Sequence, residues 1–240
     1  MKKIKTYTVL IVIAVTALLW PIPCACFYSI AWRNNERRRM QMHEILSRYF
    51  RFVMRLIPGA RFDIDNNGEN FEKPAIIISN HQSHLDLLSI IAMSPRVVAI
   101  TNKWVWNFPF YAPVIRYLEF YPIADGLDNG EEHVRSLMAR GYSVLIFPEG
   151  TRSADNKILK FRRGAFYLAE RVNADIVPIY LDGPGRVLNK RRLEFNPGTI
   201  SVRVGKRVAA DDTSMGENYR EKTRSWHKHY LQWETTLCNQ

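Results

Sequence analysis

The chain has 240 residues, 47% of them hydrophobic, enough to fill one sizeable core without a second one. Its formal net charge of +11 calls for an anionic partner, either nucleic acid or an acidic membrane surface. Nucleic acid is excluded on pattern: no zinc-ligand spacing or other nucleic-acid module is present, and Lys2, Lys3, Lys5, Arg33, Arg37, Arg38 and Arg39 crowd around an apolar N-terminus.

From Tyr7 to Trp32 there is no charged residue, a run of about 26 residues against the roughly 20 that span a bilayer as helix. Pro21 and Pro23 interrupt it, and each half alone is too short to cross. Both flanks are basic, and the positive-inside preference draws both to one side. The expectation is a proline-bent, re-entrant hairpin in the cytoplasmic leaflet, with a kinked single span as the alternative. A cleaved signal peptide would also begin Lys2-Lys3-Ile4-Lys5, but this apolar run outlasts an ordinary signal core and lacks a small-x-small cleavage site. The three cysteines give no Cys-x-x-Cys pair, which fits a reducing compartment; Cys24 and Cys26 read as small apolar residues of the segment.

A second helix follows, with Ile45, Tyr49, Phe52, Val53 and Leu56 on one face and Glu44, Arg48, Arg51 and Arg55 on the other, stopped by Pro58-Gly59. Such a stripe suits lipid headgroups or a protein core equally. After the turn Asp65-Asn66-Asn67-Gly68, buried strands are expected at Ala75 to Ile78, Val97 to Ile100, Ser143 to Phe147, Ile176 to Leu181 and Ile200 to Val204. Helices are expected near Leu85 to Met93, Glu131 to Arg140 and Gly164 to Val172. This alternation predicts an α/β fold with a largely parallel central sheet flanked by helices, its sites at strand C-termini.

The first strand delivers Asn80-His81-Gln82-Ser83-His84-Leu85-Asp86. On a continuous helix His81 and Asp86 would point roughly 140° apart, so a break is needed between them. Ser83 as helix N-cap, with Asp86 three residues on, supplies it. Asp86 then turns back to hold one imidazole nitrogen of His81, leaving the other free to deprotonate a hydroxyl. His84 reads as a packing or solvent residue.

A second block, Phe147-Pro148-Glu149-Gly150-Thr151-Arg152-Ser153, also leaves a strand end. Gly150 permits a tight turn and Arg152 can grip a phosphate bidentately. Phe161-Arg162-Arg163-Gly164 adds guanidinium groups at a helix start, where anions are favoured. The two blocks together suit acyl transfer onto a hydroxyl of an anionic lipid.

These strings resemble the glycerolipid acyltransferases, in particular the 1-acyl-glycerol-3-phosphate (lysophosphatidate) acyltransferases, over roughly Ala75 to Leu181. The His-x4-Asp block, the Phe-Pro-Glu-Gly-Thr-Arg block, Phe161 to Gly164 and the strand Ile176-Val177-Pro178-Ile179 carry the likeness. It implies His81 as general base with Asp86 as its partner, in direct attack of the acceptor hydroxyl on an acyl thioester. Glu149, Gly150, Thr151 and Arg152, with Lys103 and Arg162, would form the acceptor site. It implies no metal or cofactor, acyl-CoA or acyl carrier protein as donor, and a lysophospholipid acceptor. The expected division is 1–58 as a membrane-anchoring helical segment and 59–240 as the acyltransferase domain, on the cytoplasmic face of a bacterial inner membrane.

The middle block departs from the family pattern. Asn102 and Asp125 stand where a lysine and an arginine are usual, Lys103 lying one position from the first, while Ala112 and Glu119 stand near usual glycines. The charge reversal at Asp125 leaves a lyso-aminolipid or another hydroxylated lipid open as acceptor. The aromatic residues Trp104, Trp106, Phe108, Phe110 and Tyr111 suit an acyl-chain path, the membrane interface or the core. A basic lipid-binding module without turnover and a thioester hydrolase are the competing functions.

Overall fold

The computed structural model describes residues 2–31, 35–109, 112–122, 127–190 and 194–238. Helices α1 (Lys2–Leu19), α2 (Pro21–Ala31) and α3 (Glu36–Leu56) precede β1 (Ala60–Asp65), β2 (Ile76–Ser79), α4 (Leu85–Met93) and β3 (Val97–Thr101). Then come α5 (Lys103–Asn107), α6 (Ala112–Tyr117), β4 (Tyr121–Pro122), α7 (Leu127–Ala139) and β5 (Ser143–Ile146). The chain finishes with α8 (Gly164–Arg171), β6 (Ile176–Asp182), α9 (Pro184–Val187), β7 (Gly198–Val204) and α10 (Tyr219–Cys238).

The sheet order is β1-β7-β6-β2-β5-β3-β4, and every described pairing is parallel except β6 with β7. This is the largely parallel α/β architecture expected from the sequence, with β1 and β4 added at its two edges. β1 was not among the expected strands: Ala60, Phe62 and Ile64 alternate with Arg61, Asp63 and Asp65 and its burial is shallow, so it lacks the continuous apolar run that marks the buried strands. The central strand β2 is buried at every residue, so Ile76, Ile77 and Ile78 each contribute roughly 1.5–3 kcal/mol of apolar burial.

Behind the sheet lies α10. The fully buried Tyr230 hydroxyl donates 2.8 Å to the Ile78 carbonyl and lies 3.1 Å from the Ile179 carbonyl, bridging β2 and β6. Tyr230→Phe should therefore lower unfolding free energy by about 1–2 kcal/mol, read as a lower urea midpoint with unchanged slope. An unshifted midpoint would show that the bridge contributes nothing.

The N-terminal segment resolves the choice between hairpin and kink. Trp20 N–H donates to Thr16 O and Cys24 N–H to Trp20 O, so helical bonding crosses the junction of α1 and α2 although Pro21 and Pro23 offer no N–H. The two helices form one continuous rod, without the re-entrant bend expected within it. Thr6 reaches the Phe195 backbone, Thr16 and Ile13 meet Tyr49, and Tyr28 meets Tyr117, so the rod runs alongside α3. Ile4–Ala31 is long and apolar enough to cross a membrane, and only 11% of its most apolar stretch is covered by protein. Ile4, Ile11, Leu19, Phe27 and Ile30 are exposed.

Helix α3 is different: Met42, Leu46, Tyr49, Val53 and Met54 are buried, and Met42 and Leu46 join the same core as the sheet. Its stripe is shifted from the expected one, with Phe52 exposed and His43 and Ser47 buried. Ser47 faces the Ala92 carbonyl of α4, and His43 packs its ring 4.8 Å from Tyr142, whose hydroxyl donates to Glu36. Burial holds the His43 imidazole down to a pKa of about 3.

Candidate active site

Strands β2, β5 and β3 run parallel, so their C-termini open on one edge. Asn80 closes β2 against β6: its amide donates to Leu181 O and accepts from Leu181 N–H, both at 2.8 Å. A buried asparagine directly after an apolar strand was a signal for this clamp, though sequence alone could not supply its partner.

The chain then breaks as the spacing requires, but one residue later than expected. Helix α4 begins at Leu85 with His84 in the cap position, making no side-chain cap bond. Ser83 Oγ accepts from Leu85 N–H at 3.3 Å and donates to Leu188 O at 2.8 Å. The other half of the expected cap is present: Asp86 turns back and accepts from Ser83 N–H at 2.8 Å and Gln82 N–H at 2.6 Å.

The same oxygen, Asp86 Oδ2, lies 2.7 Å from His81 Nδ1. Asp86 is 0% exposed, whereas the His81 side chain is 20% exposed. The carboxylate is thus fixed by backbone donors, and the ring it holds faces outward. Phe147 stacks on the imidazole with centroids 4.0 Å apart and planes 16° apart, fixing its other rotation. The remaining nitrogen, Nε2, makes no hydrogen bond among the described residues.

The second block is bonded to the first through backbone groups. Ser153 N–H donates to His81 O at 2.7 Å. Glu149, 3% exposed, accepts from His81 N–H at 2.9 Å and from Leu159 N–H at 3.1 Å. Resemblance implied Glu149 in the acceptor site; its buried carboxyl holds the loops, with one oxygen on each of these backbone donors. Gly150 sits at φ +70, and a Cβ there would come within 2.8 Å of Arg162 Nε, so only glycine lets Arg162 lie over the turn.

Burial pushes the Glu149 carboxyl up to about 8. The folded protein keeps this proton where the unfolded chain releases it near 4.5, so between those values stability falls as pH rises. His43 acts oppositely, losing stability as pH falls from 6.5 towards about 3. Above 6.5 the Glu149 effect stands alone: chemical unfolding should show stability dropping towards pH 8, and Glu149→Gln should flatten that drop. Equal slopes in the two proteins would refute this assignment.

Arg152 is half-buried, and its guanidinium makes no hydrogen bond or ion pair among the described residues. Burial lowers its pKa against the pull of Asp86, so the cation lies within electrostatic reach of the His81–Asp86 pair. His84 keeps an edge open to solvent, yet the surrounding protein and then the Arg152 cation hold its pKa down to about 4. Thr151 is exposed and accepts from Lys190 at 3.4 Å. Lys103 begins α5 beyond β3, exposed, with no bond to His81, Asp86 or the turn. Asp125, Phe110 and Tyr111 lie outside the described residues. Phe147 and Lys190 were not assigned to the site from sequence; the former was visible as the residue before Pro148, the latter only as part of a basic loop.

A largely parallel sheet presents a carboxylate-held imidazole on a loop bonded to an arginine turn, the α/β architecture of an enzyme with its site at the strand ends. The Acyltransferase family model matches residues 61–182, just over half of the chain, and the chain belongs to that family. It is 33% identical over 160 residues to 1-acyl-sn-glycerol-3-phosphate acyltransferase beta of Homo sapiens, covering 61% of this chain and 55% of that protein. Against the alpha form of Mus musculus the identity is 32% over 139 residues, covering 55% and 49%. The enzyme of the same name in Saccharomyces cerevisiae is 27% identical over 191 residues, covering 75% and 63%. The chain spans about half the length of these relatives. The solved structure of the 1-acyl-sn-glycerophosphate (LPA) acyltransferase PlsC from Thermotoga maritima shares the fold, with a TM-score of 0.77 at 22% identity over 97% of this chain and 98% of that one.

Proposed function

We propose that this protein transfers a fatty acyl group from acyl-CoA or acyl carrier protein to the free hydroxyl of 1-acyl-glycerol-3-phosphate, giving phosphatidate. The observation that carries the reading is the 2.7 Å contact between His81 Nδ1 and a buried Asp86 on a loop bonded to the Arg152 turn. His81 Nε2 takes the hydroxyl proton as the oxygen attacks the thioester carbonyl; the tetrahedral adduct collapses, the carbon–sulfur bond breaks, and the thiolate leaves with that proton. Asp86 keeps Nδ1 protonated and stabilises the imidazolium as it forms. Arg152 holds the acceptor phosphate, with Arg162 beside it. Residues 1–58 anchor the chain to the membrane and 59–240 perform the chemistry on the cytoplasmic face, where soluble thioesters are found.

The test is lipid mass spectrometry of the purified full chain with a panel of lysolipids and both thioester carriers. Phosphatidate should be the main product. Preference for a different headgroup would overturn the acceptor, thiol release without added lysolipid would indicate a hydrolase, and lipid binding with no product would indicate a module without turnover.

A further inference from the structure

The loop after β6 reaches the site from a third direction. Gly183 adopts φ +93, and a Cβ there would fall 2.0 Å from the Thr199 carbonyl, so the turn that launches α9 admits only glycine. Beyond α9, Leu188 O accepts the Ser83 hydroxyl at 2.8 Å, pinning this loop to the one that carries His81. Two residues on, Lys190 Nζ donates to Arg152 O at 2.7 Å and lies 3.4 Å from Thr151 Oγ1. Three loops are thus cross-linked: Ser83 to Leu188, Ser153 to His81, and Lys190 to Arg152.

Lys190 is exposed and has no carboxylate partner among the described residues; its ammonium sits on the backbone carbonyl of Arg152, whose own guanidinium has no carboxylate partner among them either. A lysine ammonium has three N–H donors, and at most two are engaged here. We infer that Lys190 is a phosphate-binding residue, which with Arg152 forms a two-cation cradle for the phosphomonoester of the acceptor lipid. The inference rests on the acceptor reading above and adds a specificity determinant from outside the Glu149 to Arg152 turn.

Short-chain lysophosphatidate and the matching acyl-glycerol, which lacks the phosphate, are the probes. Calorimetry on the full chain, the parent beside Lys190→Met and Lys190→Arg, gives the affinities. Lys190→Met should weaken the phosphate-bearing probe by about ten- to a hundredfold, leave the phosphate-free probe unchanged, and raise KM for lysophosphatidate with kcat nearly intact; Lys190→Arg should restore most of the affinity. Equal loss for both probes would reduce Lys190 to a loop clamp, and no loss, or a parent that does not prefer the phosphate, would overturn the inference. A parent that binds lysophosphatidate through Lys190 yet forms no phosphatidate would sink the reaction and leave the cradle standing.

Discussion

His81→Ala should lower kcat by about two to four orders of magnitude while leaving the fold and lipid binding in place. The backbone of residue 81 makes the structural bonds, accepting from Ser153 N–H and donating to Glu149, and neither depends on the ring. Asp86 Oδ2 keeps two of its three donors, Gln82 N–H and Ser83 N–H, so no buried charge is orphaned. Because the ring is 20% exposed and its loss costs the stacking on Phe147 but no backbone bond, the thermal midpoint should move by only a few degrees. Turnover at the parental rate in folded protein would eliminate the imidazole as base.

Asp86→Asn should lose activity on a similar scale, and stability as well, which separates the two variants. Its carboxylate is fully buried and concentrates three donors on one oxygen. A neutral amide accepts more weakly and offers no counter-charge to the imidazolium, so kcat should fall by about two to four orders of magnitude. Charge-assisted bonds lost in a dry site should take about 2–4 kcal/mol from unfolding free energy. Because the pair acts as one unit, the double variant should be scarcely slower than His81→Ala alone. Multiplying rate losses in the double variant, or an unchanged unfolding midpoint in Asp86→Asn, would show that the two residues work separately.

The strands β2, β3, β5, β6 and β7 and the helices α4, α7 and α8 were legible because their apolar runs and punctuation are local. β1 was not, since its short charged alternation has no continuous apolar run and its place comes from pairing with β7, well over a hundred residues away. The α3 stripe was visible, but its orientation was not: a helical period identifies a face and leaves open whether lipid or α4 covers it. The flanking charges suggested a bend within the N-terminal run. Backbone bonding at Trp20 and Cys24 instead keeps the rod continuous, because two prolines two residues apart remove donors without preventing their neighbours from bonding onward.

The site divides in the same way. His81 and Asp86 belong together by sequence, since five residues with one helix start between them bring an imidazole back to a carboxylate. Glu149, Lys190 and Phe147 acquired their places only from tertiary structure, which turned an acid inward between two backbone donors, carried a distant lysine onto Arg152 and laid a ring against the histidine. Chain-local chemistry is written in spacing, because a few covalent bonds limit where a side chain can go. Contacts between loops depend on how parallel strands are ordered in the sheet, and that order is settled by the packing of the whole core.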